Sequence, residues 1–195
     1  MRRPKVKMSS SIPDGSKPDS SASDGMRTAV LTVSDSCSRG ERVDLSGPAV
    51  AEVLDRRKFQ VVVRSMVTDE RAAIQQKLAE LCASARLVVT TGGTGIAPRD
   101  VTPEATIAVC GRLVEGIAEQ MRLQGTRKTR FAALSRGVCG VHGTSLILNL
   151  PGNPARACCG SRDRRWSVEL YAPLYRETGQ CCSDMIDAAG SFPLR

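Results

Sequence analysis

The chain has 195 residues, of which 41% are hydrophobic and 25% charged, as in an ordinary globular protein. Its 28 basic and 20 acidic side chains give a net charge of +8, which suits an anionic ligand. Aromatic residues make up only 3% of the chain, so the stacking side chains typical of nucleic-acid-binding proteins are scarce. No apolar run approaches the roughly 20 residues of a membrane-spanning helix. We therefore expect no nucleic-acid partner and no membrane partner.

The eight cysteines follow no spacing typical of a metal site or a disulfide framework. Four stand singly and the others form two adjacent pairs, at 158–159 and 181–182. The chain has no CxxC motif, and His142 is its only histidine, so a zinc site is not indicated. No apolar segment follows the basic N-terminus, which argues against a secretory signal. The pattern predicts reduced thiols and a cytoplasmic protein.

Residues 1–25 are rich in Ser, Pro, Asp and Lys, and they predict a disordered tail because they cannot bury enough apolar surface to offset their entropy. From residue 28 onward, β-branched apolar runs alternate with helically spaced apolar residues. These patterns predict strands at 28–34, 59–67, 87–90, 138–141 and 145–148. Between them they predict a helix at 47–57, a helix at 69–84, and helices beginning at 102 and 113. Ser46 is the expected N-cap of the first helix, and Asp69 and Glu70 are expected in the first turn of the second. This alternation predicts an α/β fold with a parallel sheet and covering helices.

The most informative motif is Thr91-Gly92-Gly93-Thr94-Gly95, directly after the third predicted strand. Ligands of open α/β sheets bind beyond the carboxyl ends of the strands. Glycines at that position allow backbone N–H groups to turn toward an anion. The motif is neither the G-x-G-x-x-G of dinucleotide-binding folds nor a P-loop. It predicts a phosphate-binding loop of another kind, with a plain tight turn as the alternative.

Two acidic residues are expected at the same edge of the sheet. Asp69 ends the second predicted strand, and Asp100 lies in the loop just before the helix that begins at 102. Two carboxylates at neighbouring strand ends can share Mg²⁺ with the phosphates of a nucleotide. Either residue alone would be an ordinary helix-start residue.

Six segments in this order resemble the MoaB/Mog family, which makes molybdenum cofactor and includes the gephyrin G domain. The resemblance covers roughly residues 28–154. The segments are Val33-Ser34-Asp35, Asp44-Leu45-Ser46-Gly47-Pro48, Thr91-Gly92-Gly93-Thr94-Gly95, Pro98-Arg99-Asp100-Val101-Thr102-Pro103-Glu104-Ala105-Thr106, Leu134-Ser135-Arg136 and Leu150-Pro151-Gly152-Asn153-Pro154.

The resemblance implies a three-layer α/β/α sandwich with a mostly parallel sheet, in a single domain over residues 26–154 that usually forms a homotrimer. It also implies a molybdopterin adenylyltransferase, which transfers AMP from Mg-ATP to the terminal phosphate of molybdopterin and releases pyrophosphate. Molybdopterin, ATP and Mg²⁺ are then the expected partners.

The resemblance also assigns roles by position, although it names no metal ligand. Asp69 and Asp100 match the two acidic positions of catalysis. The positions of the phosphate-binding loop are Gly92, Gly93, Thr94 and Gly95. The positions that line the pocket are Ser34, Asp44, Glu104, Ser135, Pro151 and Gly152.

The last segment, residues 155–195, departs from the family, whose members continue with a long amphipathic helix. It is a divergent C-terminal segment or the product of a shifted reading frame. Because of this divergence, a non-catalytic molybdopterin-binding or scaffold protein stays an alternative function. A generic dinucleotide enzyme is a third hypothesis, against which the missing G-x-G-x-x-G argues.

Overall fold

The computed structural model describes residues 26–127 and 129–152. The predicted tail at 1–25 and the divergent segment at 155–195 lie outside these residues. Six strands form a single sheet in the described part of the chain, and four of them have the apolar, β-branched sequences expected of buried strands. They are β1 (Arg27–Val33), β2 (Gln60–Val67), β3 (Leu87–Thr91), β4 (Arg112–Leu113), β5 (Cys139–His142) and β6 (Ser145–Leu150).

The strands lie in the order β2-β1-β3-β6-β5-β4. The first four run parallel to one another, whereas β5 pairs antiparallel with β6 and β4 antiparallel with β5. The carboxyl ends of β2, β1, β3 and β6 therefore meet at one edge. The prediction of a mostly parallel sheet is confirmed.

The helices of the described residues connect these strands. They are α1 (Asp35–Ser38), α2 (Ser46–Arg56), α3 (Arg71–Cys82), α4 (Thr102–Val109) and α5 (Glu115–Thr126), with a 3₁₀ turn at Arg130–Leu134. Pro103 lies in the first turn of α4, where its missing N–H costs no hydrogen bond. Within residues 26–127 and 129–152, no helix combines the length and the apolar character needed to cross a bilayer.

Two hydrophobic cores lie on opposite faces of the sheet, because side chains alternate along each strand. Val30, Val89 and Leu146 pack in one core, with α2 and α5. Their neighbours Leu31, Val88 and Ile147 pack in the other, with α3 and α4. Helices therefore cover both faces, which confirms the three-layer α/β/α sandwich.

Two details of the helix starts differ from prediction. Ser46 is the first residue of α2 and not its cap; Oδ1 of Asp44 accepts the N–H groups of Ser46 and Gly47 at 2.9 and 3.0 Å instead. The α3 helix begins at Arg71, so Asp69 and Glu70 precede its first turn. At α2 an aspartate in the preceding loop binds the first backbone N–H groups of the helix, which the apolar pattern does not reveal.

Candidate functional site

A cavity of about 660 Å³ opens where the carboxyl ends of the parallel strands meet. The loops after β1, β2, β3 and β6 all contribute to its wall, together with residues around the 3₁₀ turn. This is the edge at which open α/β sheets bind ligands. Eleven of the twelve predicted site residues line the cavity: Ser34, Asp44, Asp69, Gly92, Gly93, Thr94, Gly95, Asp100, Ser135, Pro151 and Gly152.

The glycine loop after β3 packs against the neighbouring loops without room for side chains. Gly92 has φ 110° and Gly93 has φ 61°, in the left-handed region that favours glycine. A Cβ on Gly92 would lie 2.2 Å from the carbonyl oxygen of Val33, at the end of β1. A Cβ on Gly152 would lie 2.7 Å from Cα of Gly92. Three strand ends therefore meet backbone to backbone at this loop.

Several amides of this loop are available to a ligand. The N–H of Gly92 donates to Leu150 at 3.2 Å. Among residues 26–127 and 129–152, by contrast, the N–H groups of residues 93–96 find no protein acceptor. Successive unpaired N–H groups in a turn form a concave donor site for anions, and phosphate is a typical occupant. The loop has the donors expected of a phosphate-binding loop.

Asp69 and Asp100 both lie beside the glycine loop, at Gly93 and Gly95. A Cβ on Gly93 would be 3.3 Å from Oδ1 of Asp69, and one on Gly95 would be 2.8 Å from Oδ2 of Asp100. Oδ2 of Asp69 accepts the backbone N–H of Asp35 at 2.7 Å, and Oδ2 of Asp100 accepts that of Ala97 at 2.9 Å. In the described residues, Oδ1 of each aspartate accepts no hydrogen bond. Each carboxylate is therefore fixed through one oxygen and keeps the other available.

The environment of Asp69 shifts the pKa of its carboxyl group upward. Burial raises the pKa of the Asp69 carboxyl above its ordinary value, and the nearby charges of Asp35 and Asp100 raise it further. The N–H of Asp35 and the guanidinium of Arg99 act in the opposite direction. Arg99 itself is held by an ion pair with Asp35. Perturbed carboxyl groups in a cleft are typical of functional sites.

The two aspartates fit Mg²⁺ as part of its ligand set. No group of three or more His, Cys, Asp or Glu side chains is arranged for a metal ion in the described part of the chain. Magnesium is commonly held by one or two carboxylates, with waters and substrate phosphates as the other ligands. Oδ1 of Asp69 and Oδ1 of Asp100, beside an anion-binding loop, match that pattern.

Asp44 uses both carboxylate oxygens to hold the rim of the cavity. Besides the two backbone N–H groups at the start of α2, Oδ1 accepts the hydroxyl of Ser46 at 3.0 Å. Oδ2 accepts the hydroxyl of Thr32 at 2.7 Å. Sequence reasoning missed Thr32, because its hydroxyl lies within a buried strand. A Cβ on Gly47 would be 2.5 Å from oxygens of both Asp44 and Thr32, so this corner needs glycine.

Glu104 is the one predicted pocket residue that does not line the cavity formed by the described residues. It forms an ion pair with Arg136, which also does not line the cavity. Sequence reasoning gave neither Arg136 nor Asp35 a role, although both belong to quoted motifs. Each acts by hydrogen bonds to residues more than 30 positions away, which no local pattern reveals.

Comparison with known proteins relates this site to a family. Residues 29–160 match the family described as "Probable molybdopterin binding domain". The chain is 44% identical over 129 residues to the molybdopterin adenylyltransferase of Helicobacter pylori, which covers 64% of this chain and 73% of that protein. It is 42% identical over 127 residues to the molybdenum cofactor synthesis protein cinnamon of Drosophila melanogaster, but spans only 21% of that protein's length.

Solved structures give the same relationship. The molybdopterin biosynthesis enzyme MoaB of Thermus thermophilus superposes with a TM-score of 0.69 at 42% identity, covering 87% of this chain and 99% of that one. A structure of MogA superposes with a TM-score of 0.71 at 32% identity, covering 82% of this chain and 99% of that one.

Proposed function

Because the chain belongs to the molybdopterin-binding domain family of molybdenum cofactor biosynthesis, we propose that it is a molybdopterin adenylyltransferase. It transfers AMP from Mg-ATP to the terminal phosphate of molybdopterin and releases pyrophosphate. The observation that carries the proposal is that Asp69 and Asp100 lie beside a glycine loop whose amides at 93–96 have no acceptor among the described residues, all at one cavity. The adenylyltransferases of H. pylori and Escherichia coli, 44% and 43% identical to the chain, support it.

The transfer needs no nucleophilic side chain. An oxygen of the terminal phosphate of molybdopterin attacks the α-phosphorus of ATP and forms a new P–O bond. The bond from that phosphorus to the bridging oxygen of the β-phosphate breaks, and its electron pair leaves with pyrophosphate. The protein must bring two polyanions into line and stabilise the charge of the transition state.

The protein groups at the cavity suit that task. The N–H groups of Gly93, Thr94, Gly95 and Ile96 bind phosphoryl oxygens and do not have to reorganise during the reaction. Asp69 and Asp100 would hold Mg²⁺ together with the phosphates of the nucleotide, and the ion would supply neutralisation of phosphate charge.

The direct test is to incubate the purified full chain with molybdopterin, ATP and Mg²⁺. We expect adenylylated molybdopterin and an equal amount of pyrophosphate, measured by chromatography and a coupled pyrophosphate assay. Omission of molybdopterin is the control for ATP hydrolysis. Binding of molybdopterin without any product would reject the transferase and favour the non-catalytic member of the family.

The Asp100→Asn variant should separate catalysis from binding. The amide keeps an oxygen that accepts the N–H of Ala97 but removes the charge. We expect kcat to fall by about 10²-fold or more, with little change in the dissociation constant for molybdopterin. Asp55→Asn, on the exposed face of α2, is the matched control. Full turnover in Asp100→Asn would remove Asp100 from the mechanism.

We also propose that the protein is a homotrimer in the cytoplasm. The trimer follows the family resemblance, and the exposed apolar side chains Met66, Ile107, Leu113 and Leu123 offer surface for contacts between subunits. The cytoplasmic location is supported by the free thiols of Cys37, Cys82 and Cys110, which suit a reducing compartment.

A further inference from the structure

Arg136 binds the glycine loop from the side that faces away from the cavity. Its backbone N–H donates to the carbonyl of Thr94 at 2.9 Å, and its Nε donates to the carbonyl of Gly95 at 2.7 Å. Nη2 donates to the carbonyl of Asp100, and Nη1 pairs with Oε1 of Glu104. One residue thus joins the glycine loop, the loop that carries Asp100 and the first turn of α4.

These contacts determine which way the peptide groups of the loop point. In a trans peptide the C=O of one residue and the N–H of the next point in opposite directions. With the carbonyls of Thr94 and Gly95 bound to Arg136, the N–H groups of Gly95 and Ile96 must point away from it. Arg136 does not line the cavity, whereas Gly95 and Ile96 do. The two amides therefore face the side where a phosphate would bind.

Without these hydrogen bonds, a peptide group of the loop could flip, and the flipped form would bind anions less well. A flipped peptide would direct a carbonyl oxygen into the cavity, where its partial negative charge repels phosphate. Glycines make such flips easy, because they populate both signs of φ. A guanidinium with several donors in a fixed plane can hold separate carbonyls at once, whereas a lysine ammonium cannot reproduce that fork.

Glu104 fixes the guanidinium in turn. The two side chains are 38% and 40% exposed, so the ion pair by itself contributes little to the free energy of unfolding. Its geometric effect is larger, because α4 carries Glu104 and begins two residues after Asp100. The Glu104 carboxylate therefore fixes the orientation of the Arg136 guanidinium relative to the loop that carries Asp100.

We propose that the side chain of Arg136, oriented by Glu104, is a positioning group: through the carbonyls of Gly95 and Asp100 it holds residues 95–100 so that the amide of Ile96 and the carboxylate of Asp100 face the substrate phosphates. The bond from the backbone N–H of Arg136 to Thr94 does not depend on the side chain and remains in a substitution at this position. The proposal deepens the adenylyltransferase function and rests on it for its catalytic consequence. It also gives Glu104 a role behind the loop in place of substrate contact.

The first test measures hydrogen exchange in the full-length protein, which does not depend on activity. The N–H of Ala97 bonds to Asp100, and the N–H of Asp100 bonds to the carbonyl of Ala97, so both amides report on the loop. We expect Arg136→Lys to speed exchange in the peptide 94–101 by about tenfold or more, since the loop opens more readily. Arg122→Lys is the matched control, because Arg122 donates to the carbonyl of Gly137 outside the cavity.

The second test measures turnover per folded molecule, with the folded fraction and Tm taken from circular dichroism. We expect Arg136→Lys to lower kcat by about 10- to 100-fold while Tm stays within a few degrees of wild type. Glu104→Gln should show a smaller loss of kcat, and the double variant should be no worse than Arg136→Lys, because the two residues act as one unit. A structural role alone would change the folded fraction but not kcat per folded molecule.

The outcomes separate the two proposals. Unchanged exchange in the peptide 94–101, or an unchanged kcat in an active protein, overturns the positioning role. Faster exchange in Arg136→Lys, with a wild-type protein that shows no transfer, supports the positioning of the loop and rejects adenylyl transfer. Losses that multiply in the double variant overturn the orientation of Arg136 by Glu104.

Discussion

Asp35 acts on the carboxyl group of Asp69 in two opposite ways. Its backbone N–H donates to Oδ2 of Asp69, which favours the ionised form, while its own charge disfavours that form. The N–H of Asp69 donates to Oδ1 of Asp35 at 3.0 Å. Two reciprocal hydrogen bonds therefore join the segment that follows β1 to the segment that follows β2. Burial has the largest effect of all and raises the pKa of Asp69. The pKa of Asp69 is thus set mainly by its burial and adjusted by Asp35.

This arrangement predicts the pH dependence of Asp35→Asn. Because its pKa is raised, Asp69 keeps its proton up to a higher pH than an ordinary aspartate. Transfer that needs ionised Asp69 therefore begins to decline at a higher pH on acidification. The variant removes the Asp35 charge and frees Arg99 from its ion pair, and both effects lower the pKa of Asp69. We expect the acid limb of kcat/KM to move to lower pH, measured by steady-state rates across the acid range.

Two results would contradict this account of Asp69. One is an acid limb that stays in place in Asp35→Asn, and the other is a shift to higher pH. Asp55→Asn serves again as the control, since its exposed carboxylate on α2 does not contribute to the pKa of Asp69.

At the scale of elements, the contact between the ends of β1 and β3 depends on Gly92. An alanine there combines a φ of 110° with a Cβ 2.2 Å from the backbone oxygen of Val33, which cannot rotate away. We expect Gly92→Ala to lower the free energy of unfolding by about 2–4 kcal/mol, measured by urea denaturation.

Gly116→Ala is the matched control for that substitution. Gly116 lies in α5 with φ outside the left-handed region and nothing within 4 Å of a new Cβ. We expect this variant to be neutral or more stable by about 0.4–1 kcal/mol, because alanine restricts the unfolded chain. Equal stability of Gly92→Ala and Gly116→Ala would show that the loop can move away from β1.

The elements differ in how well their sequences predict them. Five of the six strands and the helices α2 to α5 were predicted from apolar runs and helical spacing, because burial on a sheet or under a helix repeats regularly along the chain. The strand β4 has only two residues, both exposed, and so carries no such signal. The glycine loop was found because its composition is itself unusual. Arg136 was not, because its partners lie 32 to 41 positions away and depend on the order of the strands.

On the scale of the whole molecule, the two cores and the site use different parts of the same strands. Val30 and Leu31 fill the cores from the middle of β1, whereas Ser34, just beyond its end, lines the cavity. The sheet therefore supplies a rigid support, and the loops that follow it can vary in chemistry without disturbing the packing. The order β2-β1-β3-β6 depends on contacts between strands distant in the chain, which the pattern of a single strand does not contain.

The assembly of the molecule is tested by its mass in solution. Sedimentation equilibrium of the purified chain should give three times the 20.9 kDa of one subunit, since the proposed trimer buries exposed apolar side chains. The measurement should be repeated on dilution. The mass of one or two subunits over the whole concentration range would contradict the trimer.

The segments that line the cavity come from positions between 32 and 152, and four of them are loops that follow different strands. A fragment or a partly folded intermediate would therefore lack most of the contacts to a ligand. A phosphorylated ligand would bind only completely folded molecules. By mass action, saturation at a hundred times Kd would protect the entire sheet from unfolding by about 2.7 kcal/mol. At a high cellular concentration of this ligand, the protein would therefore stay folded with destabilising substitutions that would unfold it without ligand.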